Sequence, residues 1–234
     1  MPEKTRQWYN ENLQYNGQAL ADAFVLNCTN FKRDGYFLEL GSRHPKENNN
    51  SYLLEKGFGW KGIMVDREKT YEEDYKTQRP NSIAIMQDAT EIDYKKVFKD
   101  NDLSYNLDFF QLDLEVRDNT ALETLTKINE ELFDEYRFAT ITMEHDIYTG
   151  LDNAIETRNK SREILKERGY YLVFEDIIDP PHTTYACADS PYEDWWVYPE
   201  LVDIHYIKEL QQKNKHEYTK EKKIFCFRSY DLRY

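Results

Sequence analysis

"GYFLELGSRHPKENNNSYLLEKGFGWKGIMVDRE", residues 35–68, decides the fold. An apolar run, Tyr36 to Leu40, ends in an acidic residue and a glycine, Glu39 and Gly41. A helix-length stretch follows, and a second apolar run, Ile63 to Val65, ends in Asp66. Run, helix, run is the opening unit of a parallel α/β sheet, in which ligands sit beyond the carboxyl ends of the strands. The further glycines usual in such a loop are absent: Ser42, Arg43, His44 and Pro45 stand there.

Working outward, short apolar runs recur at 36–40, 62–66, 82–87, 108–114, 138–144, 170–175 and 223–229. Ser82 to Met86 and Phe138 to Met143 are apolar or β-branched at nearly every position, as in strands covered on both faces. The intervening segments look helical. Asp118 to Phe133 carries Leu122, Leu125, Ile128 and Leu132 at helical spacing, and Asn153 to Arg168 stops at Gly169. The pattern predicts a single α/β domain over 1–234 with an open, mostly parallel seven-stranded sheet and helices on both faces. Residues 1–34 form a helical lead-in, helical from Asn10 to Phe24. The long segment 176–221 reads as an insertion before the last strand, roofing the pocket.

Composition narrows the partners. The net charge of −13 argues against nucleic acid and anionic membranes, since both need clustered Lys and Arg. The one basic tract, Lys208 to Lys223, is interleaved with acids and reads as a solvated helix and turn. Cys28, Cys187 and Cys226 are scattered and fit no metal-ligand spacing, which suits a reducing compartment. No signal peptide opens the chain and no apolar stretch approaches membrane-spanning length, so a cytoplasmic location is expected.

The strand-like runs end in carboxylates: Glu39, Asp66, Asp88 beside Ala89, Asp113 with Glu115, and Glu144 beside His145. Any one of these could be only a helix cap; five in succession are hard to assign to capping alone. Phosphates need backbone N–H groups exposed by glycines, or a P-loop lysine, and this loop offers one glycine and no such lysine. An acidic pocket suits a phosphate-free ligand with a ribose, an adenine and a cationic centre; S-adenosylmethionine has those parts. Asp66 is placed to accept the ribose hydroxyls, Asp88 with Ala89 to read the adenine edge, and Glu39 to face the methionine end, with Gly41 and Ser42 forming the turn.

The same residues carry a resemblance. Gly35, Phe37, Glu39, Gly41, Asn50-Ser51, Leu54-Glu55-Lys56 and Gly59 to Ile63 match a block of the FkbM-type methyltransferases. "LDFFQLDLE" (107–115), "ITMEHD" (141–146), "SREILKERGYYLV" (161–173) and "YEDWWVYP" (192–199) resemble later blocks, so the likeness spans roughly 35–200. It implies a class I methyltransferase (Rossmann-like) fold, S-adenosylmethionine as donor and O-methylation, often of a sugar hydroxyl. Glu39, Gly41, Asp66, Asp88 and Asp113 would surround the cofactor. The family's "GANDG" is "GSRHP" here: Pro45 replaces a glycine and Arg43 brings a cation near the sulfonium.

For the chemistry, His145 is the candidate base, with Asp113 beside it. Asp113, Glu144 and His145 could instead hold Mg²⁺ or Mn²⁺. Glu193, Asp194, Trp195 and Trp196, with His182, are expected to line the acceptor mouth, because paired tryptophans flanked by acids suit a sugar. The acceptor is then a small molecule or glycan; the oligomeric state is not legible. The rival function is a methyltransferase-fold binding protein with a degenerate cofactor loop. A nicotinamide-dependent oxidoreductase lacks its glycine fingerprint, and an acidic hydrolase lacks a marked nucleophile.

Overall fold

The computed structural model describes residues 1–178 and 190–217. In chain order the elements are α1 (Glu3–Asn12), α2 (Ala21–Cys28), β1 (Tyr36–Leu40), α3 (Tyr52–Phe58), β2 (Lys61–Asp66), α4 (Glu72–Gln78), β3 (Ile83–Met86) and α5 (Tyr94–Asp100). Then come β4 (Asn106–Leu112), α6 (Thr120–Glu131), β5 (Arg137–Glu144), α7 (Asp152–Glu167), β6 (Tyr171–Ile178), β7 (Pro191–Val197) and α8 (Ile204–Glu217). The strands form one seven-stranded sheet in the order β3-β2-β1-β4-β5-β7-β6. All pairings are parallel except those of β7, which runs antiparallel to both β5 and β6.

The sheet separates two cores. On one face Phe37, Phe109 and Trp195 pack with Phe24 of α2, Phe58 of α3 and Ile207 of α8. On the other, Leu38, Phe110 and Ile141 pack with Phe98 of α5, Leu125 and Ile128 of α6 and Leu165 of α7. The predicted helices over 118–133 and 153–168 appear as α6 and α7. In α6, Ala121, Thr124, Leu125 and Ile128 are buried, one stripe at helical spacing. β4 and β5 are covered on both sides, as their continuous apolar runs require.

Three expectations are corrected. The run at 82–87 forms β3, an edge strand whose Ile83 is exposed, so it is not covered on both faces. The lead-in is not one helix over 10–24: α1 stops at Asn12, and Ala19 and Leu20 are left-handed before α2 begins. The cause is Asp22. Its buried carboxylate takes the amides of Asn16 (2.7 Å) and Gly17 (3.0 Å), an alternative to helical bonding. Finally, residues 191–197, expected in a roof, form β7, which lies inside the sheet between β5 and the edge strand β6. Adjacent side chains on a strand point to opposite faces, so Trp195 enters one core and Trp196 the other. The run at 223–229, with Cys187, Cys226 and His182, lies outside the described residues.

Candidate functional site

The loop after β1 passes very close to the end of β4. Gly41 is left-handed (φ +85°), and a Cβ there would stand 1.6 Å from the Asp113 carbonyl oxygen. Only glycine permits that crossing. It seats the loop over the carboxyl ends of β1, β2 and β4, where Asp66 and Asp113 also lie.

Five of the loop's amides are already used. Gly41 N and Ser42 N donate to Val65 O (2.9 and 3.1 Å). Arg43 N donates to Asp66 Oδ2 (2.7 Å), and Lys46 N and Glu47 N to His44 Nδ1 (3.1 and 2.9 Å). Such a loop does not offer the free N–H cradle that a phosphate needs. Arg43 is itself left-handed (φ +44°), with its side chain exposed.

The acids differ in state. Glu39 is 1 % exposed; its Oε2 accepts from Ser51 Oγ (2.6 Å) and Asn49 Nδ2 (3.2 Å). Burial raises its carboxyl above the usual range, and Arg79 opposes that rise. Asp66 spends each oxygen on one backbone amide, Arg43 N and Glu68 N (2.8 Å), and a carboxylate oxygen has a second lone pair for a further donor. Asp88 caps the 3-10 turn Ala89–Glu91 through Thr90, whose hydroxyl and amide hold it below the usual carboxylate range.

At the ends of β4 and β5, Asp113, Glu144 and Asp146 form a linked set. Glu144 shares hydrogen bonds with both aspartates, and all three carboxyls are raised by loss of water, Glu144 most. Of the three, Glu144 is the carboxyl whose proton burial and the neighbouring Asp113 and Asp146 favour most, and a linked set of this kind shares its protons. Arg43 acts on Asp113 in the opposite sense, from across the loop. Asp146, which sequence reasoning missed, is left-handed (φ +49°) and half-buried. Its position two residues after Glu144, just past the strand end, was the signal available.

His145 is not brought to these acids. It is fully buried on the other side of the strand; its Nδ1 accepts from Ile147 N (3.2 Å), and its Nε2 lies 3.4 Å from Asp194 Oδ1 and 3.7 Å from Asp176 Oδ1. The reason is strand parity: Glu144 and its neighbour face opposite ways. His145 as base, and the metal set Asp113, Glu144 and His145, are therefore corrected. Among the described residues the group with metal-like spacing is His145, Asp176 and Asp194. Its carboxylates are neutralised by Arg158 (Nη2 to Asp176 Oδ2, 2.5 Å) and Arg162 (Nε to Asp194 Oδ2, 2.6 Å), so it fits a buried ion-pair network better than a cation.

The expected acceptor mouth is corrected as well. Asp194, Trp195 and Trp196 are fully buried, and Glu193 is 4 % exposed, its Oε1 accepting from Trp195 Nε1 (2.7 Å). These residues knit β7 into the sheet and present no ring to a sugar. Arg79 was also missed; a lone arginine before Pro80 carries no mark of burial in the sequence.

No protein-family profile matches the sequence, and a search of curated proteins finds no match. Among solved structures, the chain is similar to a TehB-like SAM-dependent methyltransferase from Corynebacterium glutamicum (TM-score 0.48, 13 % identity, 83 % of this chain and 96 % of that one). It is also similar to precorrin-6y C5,15-methyltransferase from Geobacter metallireducens (0.46, 13 %, 75 % and 86 %). A third is 1,6-didemethyltoxoflavin-N1-methyltransferase from Burkholderia thailandensis, with bound 1,6-didemethyltoxoflavin and S-adenosylhomocysteine (0.46, 14 %, 76 % and 75 %). No helix among the described residues is long and apolar enough to cross a membrane. The seven-stranded order with its antiparallel β7 gives this chain the class I, Rossmann-like methyltransferase fold.

Proposed function

We propose that the protein is an S-adenosylmethionine-dependent O-methyltransferase of FkbM type, acting on a hydroxyl of a small molecule or glycan. One observation carries the reading: the loop at the end of β1 spends five of its amides within the chain while acids stand at the ends of β1 to β5. That combination suits a ligand that is cationic, rich in hydroxyls and free of phosphate. Asp66 would hold the ribose hydroxyls, Asp88 with Ala89 the adenine edge, and Glu39, Gly41 and Ser42 the methionine end.

S-adenosylmethionine, when bound, supplies an electrophilic methyl group. The chain's own residues then orient the acceptor and receive its proton. Asp113 and Asp146, linked through Glu144, would be the groups to receive the acceptor's hydroxyl proton. The test is titration calorimetry of S-adenosylmethionine and S-adenosylhomocysteine on the wild type and on Asp66→Ala. Binding that disappears in Asp66→Ala supports the reading and opens a screen of glycan acceptors. A folded wild type that binds neither compound would leave a methyltransferase-fold binding protein instead.

A further inference from the structure

We propose that Arg79 is the positioning residue of the cofactor loop, its buried guanidinium holding loop 41–51 and the Glu39 carboxylate in register where glycines would otherwise shape the turn. This rests on the function proposed above. Arg79 sits just past α4 and is 1 % exposed. Nη1 donates to Pro45 O (3.0 Å) and Asn49 Oδ1 (2.8 Å), Nη2 to Ser51 Oγ (2.8 Å) and Nε to Glu55 Oε2 (2.8 Å). Asn49 and Ser51 are the two side chains bonded to Glu39 Oε2, and Asn49 also donates to Ser42 O (3.1 Å). The guanidinium thus fixes the loop backbone directly at Pro45 and, through Asn49, at Ser42.

Two physical points favour a positioning role over a stabilising one. A buried ion pair is weak evidence of stability, since well-packed apolar residues of similar volume often do as well or better, and in some proteins such pairs serve to specify one arrangement. And the loop departs from glycine where its shape is hardest to hold, with Pro45 rigid and Arg43 left-handed. Its inward carbonyls need donors. Arg79, Asn49 and Tyr75, whose hydroxyl donates to Ser42 O (3.0 Å), supply them.

The test compares Arg79→Lys, Asn49→Ala, the double variant and a cavity control, Leu165→Ala, in the far core. Arg79→Lys keeps the charge opposite Glu55 but cannot make the fork. Hydrogen exchange of amides 42–49 and S-adenosylhomocysteine affinity are both read. Arg79→Lys should raise exchange and Kd by about tenfold or more, the effect of losing one charge-assisted hydrogen bond. Leu165→Ala should lower the melting midpoint and move neither. The double variant should fall short of the sum of the two single effects, because Arg79 acts on Ser42 and Glu39 partly through Asn49. Unchanged exchange in folded Arg79→Lys, full additivity in the double variant, or equal effects in Leu165→Ala would overturn the proposal. A wild type that binds no S-adenosylhomocysteine would sink the proposed function, and the exchange arm would still decide the role of Arg79.

Discussion

Replacing Gly41 by alanine tests the crossing on which the site is built. The added Cβ would lie 1.6 Å from Asp113 O, where ordinary contact begins near 3.4 Å, and the neighbour is backbone that cannot swing aside. The left-handed conformation alone costs an alanine about 1–2 kcal/mol. Relieving the clash must also part the loop from β4. That endangers the bonds Asp113 N to Leu40 O and Gly41 N to Val65 O, both 2.9 Å, each contributing about 1 kcal/mol. The sum is about 3–4 kcal/mol, which for a chain of this size lowers the melting midpoint by roughly 10 °C. Gly150→Ala is the matched control: φ is +66° and nothing stands within 4 Å, so only the conformational part applies. Thermal unfolding followed by circular dichroism reads both. If the two variants melt within about 2 °C of each other, the steric part of the argument is wrong.

Asp22 makes stability depend on pH. Burial pushes its carboxyl up from 3.8 to about 6, against four backbone amides that draw it down. Between those values the folded chain keeps a proton that the unfolded chain has released. Its contribution is therefore present below pH 3.8 and lost as pH rises through about 6. The difference between wild-type and Asp22→Asn urea midpoints across that window should show the slope, and a flat difference would refute it. Arg162→Met should destabilise by about 3–5 kcal/mol in urea unfolding, because it strands the buried Asp194. Burial alone would raise the Asp194 carboxyl, yet the Arg162 bonds and His145 hold it lowered to about 2. A loss below about 1 kcal/mol would refute this account of Asp194.

The β1 turn was legible because it rests on chemistry that sequence displays: a glycine where only glycine fits, and acids where strands end. The helices over 120–131 and 152–167 were legible from their periodicity for the same reason. Trp195 and Trp196 were misread because two rings among acids look alike whether they stack on a ligand or serve two cores; the deciding fact, a strand partner on each side, is non-local. His145 was misplaced by one residue of strand parity. Ile83 to Met86 looks like any interior strand, since four apolar residues do not say how many neighbours they have. The Arg79 hub was invisible: its partners lie 24 to 34 residues away, and burial of an arginine has no compositional mark.

The placement of β7 has a consequence for synthesis. β5 gains its second neighbour only from residues 191–197, although it is itself complete at Glu144. During translation, a chain that has emerged only as far as β6 therefore holds a strand buried on both faces in the finished fold with an open hydrogen-bonding edge. β6 cannot close that edge, because in the finished sheet it lies beyond β7. Open, apolar edges recruit other strands. That edge therefore stays open until Pro191–Val197 emerges, and the β6–β7 pair completes the sheet only once both strands are made.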